Sequence, residues 1–489
     1  MSVIDETFKQ LVAVVSKNAR LGQRASALLV LGLLFLTATG VLAVANVDVA
    51  VAGVKFTAAL AVLSVLAFLG GLVMALFPER LSVLAVEVRA RGGEVLLGID
   101  VGDDWVKYGV LRVTTEDLKF LPPDRYLTVV GEERELRFDV DADQRFDHVA
   151  EAIVEACKTH GNFYGIGLGL PGQIDPILKR IVNPSGPFKF QENFVETLSK
   201  RLASSDGPLV FRALNLPENS GAAALADKML IDHHVRCSTR SVLSRHRGDD
   251  GWRHFVLLNV DWGVGSGLVL DGRMYYGSSF TAGEVGHMTL HLDDEILEPS
   301  AATPRRIDPC QCQLLGAHWE SLVSSAGLLG LARDLDEWGF EQVVAGFDAV
   351  RAEEMTAGHL LVACMAAEGR RHNVDTGLPA AAWSGSEDAK EYLRTVMNRY
   401  AFYLAIGLGD LLNVLDLDRV LMGGYLMRAL WPLPAVRRPF NECLHEHVLS
   451  EAVRSVQFVD ASDASAWFGA ALLWRDPSYE LMLDQAHAG

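Results

Sequence analysis

Residues Ala282–Glu320 open with Ala-Gly-Glu-Val-Gly-His and, after a loop, close with Cys-Gln-Cys-Gln-Leu-Leu-Gly-Ala-His-Trp-Glu. Glu284 and His287 are three apart, Cys310 and Cys312 two apart, and His318 follows six later. His287, Cys310, Cys312 and His318 make four soft or borderline ligands, a set that suits a closed tetrahedral zinc site. Glu284 and Glu320 flank that set, are not needed for the metal, and are left over for a small polar ligand.

Outward from this stretch, apolar runs alternate with glycine turns. Upstream, His254-Phe-Val-Leu-Leu-Asn-Val and Leu268-Val-Leu read as strands around the turn Gly263-Val-Gly-Ser-Gly267. Such a turn can cradle phosphate with backbone N–H groups, and it also occurs in plain glycine hairpins. Further upstream, Leu96, Leu97 and Ile99 run into a turn at Asp100 and Gly102. There a carboxylate can hold magnesium through water and a glycine can admit phosphate, or the turn closes an ordinary hairpin. Gly165, Gly167 and Gly169 alternate with apolar residues, the pattern of a buried strand approached closely by other backbone. Phe146–His160 has helical spacing, and Pro208–Ala213 reads as a strand. A small-residue helix follows at Ala222–Ala226, with Asn219 or Ser220 as its N-cap. His233–Arg253 is polar, without period, and reads as a surface insertion. Downstream, Leu331–Gly385 is mostly helical and Tyr392–Leu415 is a long helix. Arg419 leads a strand into the double-glycine turn Gly423-Gly424, and a small-residue helix spans 464–474. The alternation predicts an α/β fold in two lobes, 96–230 and 231–489.

The 489-residue chain carries a net charge of −18 and six cysteines. So acidic a body argues against nucleic acid as partner, and scattered Cys157, Cys237, Cys364 and Cys443 argue against a disulfide framework. Ala25–Ala45 and Phe56–Phe77 are uncharged apolar stretches long enough to cross a bilayer as helices. Lys9, Lys17, Arg20 and Arg24 precede the first; Arg80, Arg89 and Arg91 follow the second. By the positive-inside rule this predicts a cytoplasmic segment 1–24, a two-span hairpin over 25–77 in the inner membrane, and a linker 78–95. Both termini and the body are then cytoplasmic, a reducing compartment that keeps thiolates available for metal.

The order of these motifs resembles the ROK family (repressors, open-reading-frame proteins and sugar kinases) of the actin-like ATPase fold, from Leu96 to Trp474. Gly98-Ile-Asp-Val-Gly resembles its first phosphate loop, Asp261-Trp-Gly-Val-Gly-Ser-Gly its second, Gly165–Asp175 its glycine strand and turn, and Ala282–His287 its zinc and sugar motif. Cys310–Glu320 resembles its CxCGxxGCxE zinc motif, with His318 in place of the last cysteine. The resemblance implies a sugar held by Glu284, His287 and Glu320, structural zinc, and ATP with Mg2+ at Asp100, Gly102, Gly263, Gly265, Gly267, Gly423 and Gly424. It places the helix 464–474 back on the first lobe and leads one to expect a homo-oligomer. In an ungapped alignment the family's catalytic aspartate falls at Asn219, which can hydrogen-bond a sugar hydroxyl but cannot take its proton. Asp103 and Asp104 stand where a phosphate loop has small residues, and Asp261-Trp262 replace Gly-Thr. Kept sugar residues beside an altered base and altered loops lead us to expect a membrane-anchored sugar-binding pseudokinase, a sensor or scaffold. The alternative is an active, glucokinase-like ATP-dependent kinase of a hexose or N-acetylhexosamine. The repressor branch is disfavoured, because a hairpin occupies the place of its N-terminal helix-turn-helix.

Overall fold

A computed structural model describes residues 50–51, 54–55, 94–102, 105–114, 127–137, 142–183, 193–246, 252–290, 318–370, 376, 378, 382–449, 456–459 and 464–488. The chain divides into two units, Met1–Gly93 and Glu94–Gly489. Of the first unit, the described residues form a short antiparallel pairing of Ala50–Val51 with Val54–Lys55.

The second unit holds two five-stranded sheets. The first contains β1 (Glu94–Val101), β2 (Trp105–Val113), β3 (Leu127–Arg137), β4 (Phe163–Leu170) and, after the small pair β5 (Gln173–Asp175) and β6 (Arg180–Asn183), β7 (Met229–His233). Its order is β3-β2-β1-β4-β7. The first three strands are antiparallel neighbours, and β4 and β7 run parallel to β1. Parallel neighbours need a crossover, which α1 (Ala142–Thr159) provides before β4. Before β7 come α2 (Phe194–Ser205), α3 (Gly207–Ala213) and α4 (Ala222–Asp227). Helices cover both faces, so the middle of β1 is apolar: Leu96, Leu97 and Ile99 are fully buried.

Next comes α5 (His234–Arg245), then the second sheet, whose strands are β8 (Phe255–Val260), β9 (Val264–Leu270), β10 (Arg273–Met274), β11 (Arg419–Gly423) and β12 (Val456–Phe458). Its order, β10-β9-β8-β11-β12, repeats the connectivity of the first. The β9-to-β11 connection contains α6 (Glu320–Val323), α7 (Ser325–Leu335), α8 (Glu337–Ala345), α9 (Ala357–Ala367) and the long α10 (Glu387–Leu415). After β11 come α11 (Tyr425–Leu430) and α12 (Pro434–His447).

The chain closes through α13 (Ala466–Ala471) and α14 (Pro477–Ala488). Gly98 pairs with Gly109 on one side and Gly167 on the other, leaving a three-strand trough without side chains. α13 lies in it. A Cβ on Gly98 would stand 1.9 Å from the Trp467 carbonyl oxygen, and one on Gly167 1.8 Å from that of Ala470. On its other side Gly469 meets the Cys237 carbonyl of α5.

Three expectations change. The membrane placement is not sustained: among the described residues no helix is long and apolar enough to cross a membrane. The longest, α10, carries Glu387, Asp388, Lys390, Glu391, Arg394, Arg399 and Asp410. The stretches Ala25–Ala45 and Phe56–Phe77 lie outside the described residues. Second, Pro208–Ala213 is helical, because Pro208 starts a helix well with its preset φ and missing N–H; the sheet's last strand is Met229–His233. Third, the supposed insertion after His233 is interior. Arg236 and Arg240 are 2% exposed, and burial is tolerated because Asp232 and Asp476 pair with them.

Candidate functional site

The ends of Ala282–Glu320 are brought together on the second sheet. Gly283 has φ +93, and a Cβ there would lie 2.8 Å from the Ser266 carbonyl oxygen, so glycine is required. Ser266 Oγ donates to the Gly283 carbonyl at 2.8 Å, fixing the segment to β9. A 3₁₀ turn at Val285–His287 follows, and its three-residue repeat puts Glu284 and His287 on one side, 3.8 Å apart. The Trp319 amide donates to the Met288 carbonyl at 2.8 Å, setting His318 beside His287. Trp319 is fully buried, donates Nε1 to the Tyr403 carbonyl at 3.0 Å, and rests on Gly407 of α10. This anchor presents His318 and Glu320 on either side of it.

His287 Nδ1 and His318 Nδ1 are 3.3 Å apart. Two nitrogens on a tetrahedral zinc at about 2.0–2.1 Å would stand roughly 3.3 Å apart, so the pair fits zinc. Cys310 and Cys312 lie outside the described residues, and among the described residues no group of three metal-binding side chains occurs. Burial and the neighbouring His287 push the His318 imidazole toward its neutral form, the form that ligates metal. Glu320 Oε2 accepts from the Val264 amide at 3.3 Å. Burial raises the Glu284 carboxyl above its usual range, with Arg236 and His287 opposing and Glu320 assisting. The result is a half-buried array of carboxylate and imidazole acceptors, suited to hydroxyl donors.

The glycines expected at phosphate are packed as follows. The space a side chain would occupy on Gly102 is filled by the Trp105 indole at 2.2 Å. On Gly263 it is faced by Glu320 Oε2 at 3.1 Å, on Gly265 by Val235 and His233 at 3.0 and 3.3 Å, and on Gly267 by Thr239 at 2.0 Å. Gly423 ends β11, and Gly424, at φ +102, packs on Val260. Asp261 Oδ2 accepts from the Tyr425 amide at 3.3 Å, so a carboxylate already stands at the start of α11. These contacts account for glycine at each position, and Asp261 adds a negative charge at the start of α11. Among the described residues one atom of this set suits magnesium: Asp100 Oδ1 is buried and has no hydrogen-bond partner there. Burial pushes the Asp100 carboxyl up to about 8, against Lys107 and with Glu133.

Asn219 sits on an exposed turn before α4, which the backbone of Gly221 caps. Between it and the far end of β7 lie α4 and the whole strand. That far end carries what sequence reasoning missed. His233 faces Gly265, and His234 lies beside Gly169, whose neighbour in turn is Asp100 Oδ1. Burial holds both imidazoles neutral, His234 down at about 4. Asp232 is fully buried; burial would raise its carboxyl, but Arg236 and Arg240 hold it below the usual range. Arg236 Nε donates to Asp232 Oδ1 at 2.6 Å and Nη1 to the Phe280 carbonyl at 2.7 Å, tying α5 to the loop before Glu284. Arg240 Nη2 donates to Asp232 Oδ2 at 2.8 Å and to Tyr276, and its Nε to Asp476 Oδ2 at 2.7 Å. The signal was present in part: Arg236 and Arg240 lie four apart on one face of α5, and Asp232 stands four residues before Arg236 at the end of β7.

A duplicated sheet with carboxylate and imidazole side chains gathered at its loops defines a two-lobed α/β protein with the actin-like sugar-kinase fold. The ROK family model matches residues 223–477, and the chain belongs to the ROK family. It is 25% identical over 342 residues to the N-acetyl-D-glucosamine kinase of Escherichia coli O6:H1, covering 68% of this chain and 87% of that one. It is 22% identical over 337 residues to the xylose repressor of Caldicellulosiruptor bescii, covering 67% of this chain but only 65% of the repressor, just under two thirds. Among solved structures, a ROK glucokinase from Streptomyces griseus in complex with glucose and AMPPNP shares the fold, with TM-score 0.50 and 14% identity over 78% of this chain and 98% of that one. A ROK transcriptional regulator homologous to E. coli MLC also has TM-score 0.50, with 17% identity over 81% and 82%.

Proposed function

We propose that this ROK protein binds a sugar through Glu284, His287 and Glu320 and does not phosphorylate it. The observation that carries this reading is the asymmetry of the site. Glu284, His287 and Glu320 stand together, while Trp105, Glu320, His233 and Thr239 pack against the glycines of the two turns and the Asp261 carboxylate occupies the start of α11. A fixed carboxylate there repels phosphate. Relatives named for xylose, N-acetyl-D-glucosamine and glucose make a sugar the ligand class to test first. Zinc held by His287, His318, Cys310 and Cys312 would orient His287 toward the sugar. One observation favours an active kinase instead: the partnerless Asp100 Oδ1, placed where a cation bound to ATP could sit.

Calorimetric titration of the full chain with glucose, xylose and N-acetylglucosamine, beside a coupled assay for ADP, decides between these readings. The expected result is binding of at least one sugar, weakened about tenfold or more by Glu284→Gln, since a hydrogen bond to a charged group contributes about 1.5–3 kcal/mol. Sugar-dependent ADP release would replace the non-transferring reading with the kinase one. Metal analysis should find one zinc per chain, lost in His318→Ala; a well-folded chain free of zinc removes the metal.

A further inference from the structure

Trp262 stands in the β8–β9 turn and is 72% exposed, more than any other large aromatic side chain described. The turn around it is held at every point. The Asp261 amide donates to the Gly263 carbonyl at 2.9 Å, and the Asp261 carbonyl accepts from the Ser325 amide and hydroxyl at 2.8 and 3.0 Å. The Asp261 carboxylate accepts from Tyr425, and the Val264 amide donates to Glu320. The Trp262 indole has no hydrogen bond among the described residues. A rigid mount therefore presents a bare aromatic face two residues from the amide that grips Glu320.

An indole offers a flat apolar face with a polar N–H at its edge. A sugar ring matches it, with C–H groups on its faces and hydroxyls around its rim. A charged nucleotide does not, because Asp261 lies beside the indole. A protein partner would need an apolar patch of several hundred Å2, whereas Trp262 stands between an aspartate and a glycine. We infer that the site takes a disaccharide or longer glycan: Glu284, His287 and Glu320 hold one ring by its hydroxyls, and the adjoining ring stacks on Trp262. This rests on the sugar-binding reading above and adds the size of its ligand.

The test titrates the full chain with glucose, xylose and N-acetylglucosamine and with maltose, cellobiose, xylobiose and chitobiose, following heat and tryptophan emission. The expected result is that one disaccharide binds about tenfold tighter than its monosaccharide and shifts the emission. Trp262→Ala should bring that ratio to about one and abolish the emission change, while Trp262→Phe keeps part of the ratio. A ratio near one in the unaltered chain, or a ratio that survives in Trp262→Ala, overturns the inference while leaving monosaccharide binding in place. Failure of every sugar to bind the unaltered chain overturns the parent reading, and this one with it.

Discussion

The two sheets have one connectivity and opposite treatments of charge. In the first, Asp100 is drawn inside at the end of β1, Trp105 roofs Gly102, and Asp232 sits fully buried between two arginines. In the second, the equivalent turn puts Asp261 on the start of α11 and leaves Trp262 in solvent. A duplicated backbone decides where loops meet, and a few side chains at those loops decide what they meet. Charge in the first sheet is structural and sealed; charge in the second lies at the surface of a site.

If that contrast is right, the largest effect belongs to the first sheet. Asp232→Ala leaves Arg236 and Arg240 without their buried counter-charge and should cost about 3–5 kcal/mol in chemical denaturation. An equally harmless outcome at Asp232 and Asp261 would erase the distinction. Next come the glycines. Gly167→Ala drives a Cβ into the Ala470 backbone and should cost about 1–3 kcal/mol. Gly267→Ala on the second sheet meets the Thr239 hydroxyl and, at 2.6 Å, its Cβ, which no rotation moves, and should cost a similar amount; Gly221→Ala, with open space beside it, serves as reference. A third effect is pH-dependent. His233 and His234 are kept neutral in the fold, His234 down to about 4, while an unfolded histidine titrates near about 6.5. Between those values the unfolded chain takes up protons that the folded chain excludes, so stability falls as pH falls through that window. The double variant His233→Gln with His234→Gln should flatten the decline of melting temperature; among the described residues β12 and Val459 offer no titrating counterpart. Asp261→Ala removes a helix-start contact and should cost about 0.5–2 kcal/mol.

Much of this was legible in the sequence, for reasons that also explain the gaps. β1, β4, β8 and β11 are apolar runs ending in glycine turns, and a buried parallel strand has to look that way. Glu284, His287, His318 and Glu320 were legible because short local spacing survives any misplacement of the rest. β7 and α5 were not, because burial there is achieved by ion pairing, and hydropathy reads Arg236 and Arg240 as surface. Asn219 was singled out by alignment alone, and an alignment cannot tell an exposed turn from a strand end in a cleft. Apolar length alone suggested membrane spans at Ala25–Ala45 and Phe56–Phe77, and no described helix takes that form.

The glycine trough across β1, β2 and β4 also has a consequence in time. Its occupant, α13, is translated more than two hundred residues after β7 completes the sheet. At about 5–20 residues per second, a ribosome leaves that trough uncovered for roughly ten to fifty seconds. During synthesis the first sheet is thus an assembled wall waiting for its keystone, and the molecule closes on itself only when Ala466–Ala471 arrives. Nascent chains stopped at Asp463 should be cut readily by protease within β1 to β4, and chains extended past Trp474 should resist.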